Sequence, residues 1–231
     1  MMSLARRVGI VDRGCHRSIH SGVVPLLGGL AIALPFLALV LLVSLSGMLP
    51  MDGAFNAEFL PVFLIGCAAV LALGIVDDFR PLTARTKLLF QVLIAIFVCL
   101  SGLSLDRIFV PFFGIVNLPP TLATALAVAW IVGIINSVNL IDGMDGLATG
   151  VCLIASLGIA VLAALSGNLG VACLCLALSA GLGGFLLFNF HPARIFLGDT
   201  GSMFLGFVIA VFAILAPTGS SQSAFCVSGV D

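Results

Sequence analysis

Phe59-Leu-Pro-Val-Phe-Leu-Ile-Gly-Cys-Ala-Ala-Val-Leu-Ala-Leu-Gly-Ile-Val76 holds no charged side chain, and it runs directly into Asp77-Asp78. A bilayer-crossing helix needs about 20 mostly apolar residues. The stretch therefore reads as a membrane span with two adjacent carboxylates at its end. The same reading applies to six further runs, at roughly 23–49, 88–105, 120–138, 147–166, 169–188 and 202–217. The whole chain agrees. Of its 231 residues, 61% are hydrophobic and only 8% are charged, against roughly 25% charged in a soluble domain. A mean hydropathy of +1.32 leaves too little polar surface to coat a globule in water. A soluble enzyme, a nucleic-acid binder and a disordered chain are all excluded.

The predicted fold is an all-α polytopic membrane protein of about seven transmembrane helices. No linker, repeat or low-complexity tract divides it, so residues 1–231 read as one membrane domain. Residues 1–22 lack an apolar run of their own, and no signal peptide is expected. Seven cysteines, an odd number, rule out a fully paired internal set. Cys67, Cys99, Cys152, Cys173 and Cys175 lie in apolar runs, where a thiol behaves as a small hydrophobe.

Threading seven spans puts the N-terminus and the loops 77–87, 139–146 and 189–201 on one side. That side carries eight of the nine basic residues, and only Arg107 falls on the other. The positive-inside rule assigns the basic side to the cytoplasm. Residues 106–119, rich in β-formers and Pro, lie outside and are expected to form a short hairpin or to lie along the interface.

Polar chemistry concentrates in the three cytoplasmic loops, while the middles of the spans hold no ionisable residue. A proton- or ion-coupled transporter keeps such groups near the bilayer midplane. Ionisable groups at span ends suit an enzyme that joins a water-soluble substrate to a lipid. A transporter of a phosphorylated solute, using the same basic loops, is the alternative.

The first cluster is Asp77-Asp78-Phe-Arg80-Pro81-Leu-Thr-Ala-Arg85-Thr-Lys87. Adjacent carboxylates repel unless a cation relieves them, and Arg80, Arg85 or Lys87 could do so as ordinary ion pairs. Lys87 opens the next span, so its ammonium can bend back to the pair or reach a phosphate. The second is Asn136-Ser-Val-Asn139-Leu-Ile-Asp142-Gly143-Met-Asp145-Gly146. Four polar side chains at steps of three lie close to one helix face, and their oxygens are hard ligands suited to Mg²⁺. An Asx/Gly-rich turn is the plainer alternative. The third is Asn189-Phe-His191-Pro192-Ala-Arg194-Ile-Phe-Leu-Gly198-Asp199-Thr200-Gly201-Ser202. It reads as a turn before a span, with Asp199 or Ser202 as a simple N-cap or the helix start as a phosphate site reinforced by Arg194.

These clusters make sense together for phosphoryl transfer. At an effective dielectric of 20, two phosphate groups of charge near −2 at 4 Å repel by on the order of 16 kcal/mol. Carboxylates alone would add to that, so a divalent cation, Mg²⁺ or alternatively Mn²⁺, is expected beside the basic residues.

The loops resemble the polyprenyl-phosphate N-acetylhexosamine-1-phosphate transferase family, glycosyltransferase family 4. The resemblance rests on Leu73-Gly-Ile-Val-Asp-Asp…Leu82-Thr-Ala-Arg-Thr-Lys-Leu…Gln91, on Asn136 to Ala148, on His191 to Ser202, and on Gly9-Ile-Val-Asp12…Arg17…His20…Pro25…Gly28-Gly29. The last of these and the Leu-Thr-Ala-x-x-Lys loop are closer to the bacterial GlcNAc-1-phosphate transferases than to the muramoyl-pentapeptide branch. The resemblance implies that undecaprenyl phosphate attacks the sugar-linked phosphorus of a UDP-N-acetylhexosamine and releases UMP, at the bacterial inner membrane with a cytoplasmic site.

It further implies metal binding by Asp199 with Asn139. Phosphate contact falls to Lys87, with Arg85, Arg194 and His191 as substrate-binding groups. Catalytic roles fall to Asp77, Asp78, Asp142 and Asp145. The bilayer and the two substrates are the implied partners, with no nucleic acid, and a homodimer is compatible. Family members carry a further span before Gly9 and a His-x-His loop after the last span. The sequence is therefore expected to be a fragment or a shortened member, inactive alone.

Overall fold

Seven helices and two short strand pairs account for the regular structure of the computed structural model, which describes residues 11–12, 24–25, 28–48, 55–110, 112 and 114–217. The helices are α1 (Gly28–Leu45), α2 (Phe59–Phe79), α3 (Ala84–Cys99), α4 (Pro120–Ile141), α5 (Leu147–Leu165), α6 (Leu169–Asn189) and α7 (Gly198–Leu215). Six of them, all but α3, are long and apolar enough to cross a membrane. The chain is a multi-pass, all-helical membrane protein. Arg6, Arg7, Arg13, Arg17 and His20, and the tail 218–231, lie outside the described residues.

Local chemistry explains where the helices begin. The Asn56 side chain accepts from the backbone N–H groups of Glu58 (3.1 Å) and Phe59 (2.8 Å) and closes the start of α2. Pro119 and Pro120 open α4, where a missing N–H costs nothing. Asn168 caps α6 by accepting from Val171 N at 3.3 Å. Thr83 does the same for α3, accepting from Thr86 N at 3.3 Å. That cap starts α3 at Ala84, ahead of the expected 88. The helix ends at Cys99 instead of 105, where the chain turns through Gly102 with φ +102°. At 16 residues, α3 is the shortest of the seven.

Other boundaries differ as well: α1 spans Gly28–Leu45 against 23–49, and α4 runs to Ile141 against 138. Helix α2 runs on to Phe79, so Asp77 and Asp78 sit in its last turn. Helix α7 starts at Gly198, not 202. Gly-Asp-Thr-Gly-Ser is therefore the first turn of the helix and not a turn before it. The hairpin expected over 106–119 is present. Arg107–Val110 (β3) pairs antiparallel with Gly114–Asn117 (β4), Arg107 opposite Asn117. A second small pair, Val11–Asp12 (β1) with Val24–Pro25 (β2), had no counterpart in the sequence reading.

Helix α7 is the axis of the bundle. It packs against α1, α2, α4, α5 and α6, while α3 lies outside, against α2 and α4. Of the 18-residue α7 window, 89% is buried, against 33–44% for the other spans. Lipid is as apolar as leucine, so close packing and not water exclusion must hold these helices together. Aromatic rings supply part of that packing. Phe63 lies 5.4 Å from Phe212 and 6.2 Å from Phe207, and Phe36 lies 6.2 Å from Phe204, centroid to centroid.

Absent side chains supply the rest. A Cβ on Gly74 of α2 would stand 2.5 Å from Thr200 Cα and 2.8 Å from Thr200 N. Gly29 of α1 faces the backbone of Gly201 in the same way. The first turn of α7 is thus wedged directly against two helix backbones.

Gly74→Val is expected to lower the stability of the detergent-solubilised chain by about 1–3 kcal/mol, the usual cost of overpacking. Gly150→Ala, which meets nothing within 4 Å, is expected to leave it unchanged or slightly raised. Thermal unfolding of the two variants side by side checks this.

Candidate active site

The polar clusters meet at the end of the bundle where α2 stops, α3 starts, α4 stops and α7 starts. Adjacent residues point two ways. Asp77, 2% exposed, accepts from Leu82 N through Oδ1 at 2.7 Å. Its Oδ2 forms an ion pair with Lys87 Nζ. Asp78 turns to α7: its Oδ1 accepts from Asp199 N at 2.8 Å, and its Oδ2 accepts from Thr200 N at 3.1 Å and Thr200 Oγ1 at 2.5 Å. Residue Leu197, at the N-cap position of α7, makes no side-chain cap bond. Asp78 supplies that cap from α2, so neither Asp199 nor Ser202 is the N-cap the sequence suggested.

Lys87 lies one turn into α3 and also reaches Asp199 Oδ2 at 3.5 Å. From α4, Asn139 Nδ2 donates to Asp199 Oδ1 and, at 2.9 Å, to Ser202 Oγ. Asp77, Lys87, Asn139 and Asp199 therefore form one continuous polar group drawn from four helices. Asp142 ends α4 as its C-cap residue. Burial, then the charges of Asp199 and Asp78, push its carboxyl up to about 8.

The four-residue polar face expected for 136–145 is not one face. Helix α4 ends at Ile141, because Gly143 and the left-handed Gly146 (φ +71°) carry the chain into a turn. Asn136 turns instead to Gln91 Oε1, at 2.6 Å. Asp145 engages the loop before α7: its Oδ2 meets His191 Nδ1 at 2.9 Å and accepts from Ala193 N at 3.1 Å. His191 is thus held at its Nδ1 edge, with 71% of its side chain exposed. Arg85 and Arg194 are exposed and enter no ion pair among the described residues.

That loop is pinned from several directions. Buried Asn189 donates to Ile195 O at 2.9 Å and accepts from Thr149 Oγ1 at 2.7 Å. Gly28 N and Gly29 N of α1 donate to Phe196 O (3.1 Å) and Leu197 O (2.9 Å). Thr200, Thr149 and Gln91 had been given no role from the sequence. Their signal was available all the same, since a polar side chain inside an apolar run must find a partner.

Among the described residues, no three His, Cys, Asp or Glu side chains form a metal-ligand cluster. Mg²⁺ takes one or two carboxylates and completes its shell with water and substrate phosphate. Asp199 and Asn139 carry hard oxygens of that kind.

The model of the family described as Glycosyl transferase family 4 matches residues 60–217. The chain is 39% identical, over 212 residues, to the Bacillus subtilis protein named "Probable undecaprenyl-phosphate N-acetylglucosaminyl 1-phosphate transferase", covering 92% of this chain and 57% of that one. It is 33% identical to the "Decaprenyl-phosphate N-acetylglucosaminephosphotransferase" of Mycobacterium tuberculosis, covering 96% and 57%. It is 35% identical to the "Phospho-N-acetylmuramoyl-pentapeptide-transferase" of Staphylococcus carnosus, covering 83% and 62%. The chain thus spans somewhat over half the length of these relatives.

If Asp78 is chiefly the cap of α7, Asp78→Ala should cost about 1–3 kcal/mol, the range for charged hydrogen bonds and caps. Asp78→Asn, which keeps one acceptor oxygen, should cost less. Equal thermal stability of Asp78→Ala and the parent would remove the cap assignment.

Proposed function

We propose, from the premise that this chain belongs to glycosyl transferase family 4, that it transfers an N-acetylhexosamine 1-phosphate from a UDP-sugar to undecaprenyl phosphate. A phosphate oxygen of the lipid attacks the sugar-linked phosphorus, the bond from that phosphorus to the UMP oxygen breaks, and UMP leaves. One observation carries the reading: Asp77, Lys87, Asn139 and Asp199 converge from four helix ends on one point at the edge of the bundle. That is where a headgroup held in the membrane and a nucleotide sugar from water can meet.

Each side chain then has a task. The Lys87 ammonium, held between Asp77 and Asp199, binds the transferring phosphate and offsets charge as the new bond forms. Asp77 orients Lys87 and takes up its charge between turnovers. Asp199, and Asn139 with its amide turned over to present the oxygen, would hold Mg²⁺, which when bound would neutralise phosphate charge. Asp78 keeps the first turn of α7, and so Asp199, in place. Exposed Arg85 and Arg194 are positioned to draw the anionic donor from solution. Positioning and electrostatics account for most of the catalysis in reactions of this kind. The names of the B. subtilis and M. tuberculosis relatives favour GlcNAc as the sugar.

The acidic end faces the cytoplasm of a bacterial inner membrane in this reading. Arg80, Arg85, Lys87 and Arg194 gather there, and Arg107 stands by the hairpin at the far end. Arg194→Cys should therefore resist a membrane-impermeant thiol reagent in intact cells and react in inverted vesicles. Reaction in intact cells would reverse the orientation.

The central test supplies labelled UDP-GlcNAc and undecaprenyl phosphate to membranes holding the protein. Lipid-extractable label with UMP release supports the transferase. Label entering sealed vesicles without lipid product supports the transporter instead. Lys87→Ala and Asp199→Asn should each lower turnover by about 10²-fold or more, as removal of a placed electrostatic contact does. Asp199→Asn should also raise the Mg²⁺ concentration needed.

A further inference from the structure

We infer that Gln91, through its hydrogen bond to Asn136, is a positioning residue that sets the register of α3 against α4 and so brings Lys87 and Asn139 to the same carboxylate. The inference rests on the reading of the acidic end as the transfer site. Gln91 is 1% exposed, and its Oε1 accepts from Asn136 Nδ2 at 2.6 Å. Asn136 Nδ2 also donates to Val132 O at 2.8 Å, within α4. A carbonyl only accepts, so Val132 O fixes which way the Asn136 amide faces.

The placement of this bond within the two helices gives it its effect. Lys87 precedes Gln91 by four residues, and Asn139 follows Asn136 by three. Each pair lies on one helix face about one turn apart. The Gln91–Asn136 bond is thus the rung directly beneath the two side chains that meet on Asp199. A rise of 1.5 Å and a turn of about 100° per residue mean that small slips of α3 displace Lys87 by ångströms.

Apart from the Lys87 ion pairs with Asp77 and Asp199, little else holds the near half of α3. Its buried residues are Gln91, Ala95, Val98 and Cys99. The last three are small or medium apolar groups in the half remote from the site. Toward the site, Gln91 is the sole buried residue of α3. In lipid, Ala95, Val98 and Cys99 gain only van der Waals contact from that burial. The hydrogen bond is directional, and its acceptor Gln91 is buried.

The test uses Gln91→Met, which keeps the length of the side chain and removes the acceptor, and Asn136→Leu as the second variant. Spin labels on Leu89→Cys and Leu140→Cys, both exposed positions on α3 and α4, report the helix separation in a background whose native cysteines are replaced by alanine. The parent should give one narrow distance, and either variant a broadened or shifted one. With labelled UDP-GlcNAc and undecaprenyl phosphate, kcat should fall about 10- to 100-fold while KM stays within about threefold, as misplacement of catalytic groups does. The double variant should lose no more than either single one.

An unchanged distance distribution with unchanged kcat overturns the proposal. So does a loss confined to KM, or a failure of both variants to fold, which would make the bond a general structural need. If the parent itself forms no lipid product, the kinetic comparison drops out, and the helix-distance measurement alone decides whether the bond sets the register.

Discussion

The carboxylate of Asp78 closes the amino end of a helix to which it does not belong. Helix α7 begins packed against its neighbours, with Gly198 and Thr200 buried and Asp199 partly exposed at the end of the bundle. A buried donor left unsatisfied there would cost about 1–3 kcal/mol. Asp78 accepts from Asp199 N, Thr200 N and the Thr200 hydroxyl. That allows the helix to start directly against the backbones of its neighbours. Gly74 one turn earlier on α2, and Gly29 on α1, let the backbones come close enough for those bonds to form. Cap and close approach require each other.

Everything at the acidic end follows from that placement. Asp199 sits in the first turn of α7, so its carboxylate is delivered to the point where α3 and α4 present Lys87 and Asn139. Asp77 and Asp78 are chemically identical neighbours with opposite tasks. One side chain is spent on an internal cap, and the other faces a lysine. The helix turn of about 100° between consecutive residues separates them. Mutual repulsion is relieved on one side by the α7 amides and on the other by the Lys87 ammonium.

The loop between α6 and α7 carries the same logic to the site's rim. Asn189, Asp145 and the first amides of α1 each hold a different part of it. Elsewhere, hydroxyl and indole groups tie helices inside the apolar region. Ser156 on α5 donates to Cys175 O on α6, and Trp130 on α4 donates to Ala210 O on α7. A polar group in such a medium has few alternatives, so each of these bonds fixes one relative placement of the helices. This is how a bundle without hydrophobic collapse between its members acquires a single arrangement.

The amino-acid sequence alone determined the helical membrane class of this protein and the approximate positions of its seven helices. The length of uncharged runs is a one-dimensional property, and the bilayer reads it directly. Sequence also told that chemistry would gather in three loops, because ionisable groups were excluded from the span middles and motif resemblance covered the loops. It offered Arg80, Arg85 and Lys87 alike as cations for the Asp pair, and in the structure Lys87 pairs with Asp77. Only the tertiary structure decided how the polar residues divide. Asp78 became a cap, Asn136 a partner of Gln91 and Asp145 an anchor for the α6–α7 loop, while Asp77, Asn139 and Asp199 met at Lys87. Spacing along the chain cannot separate these fates. A carboxylate or an amide bonds whatever donor packing brings within 3 Å, and which donor arrives depends on helices joined by many intervening residues.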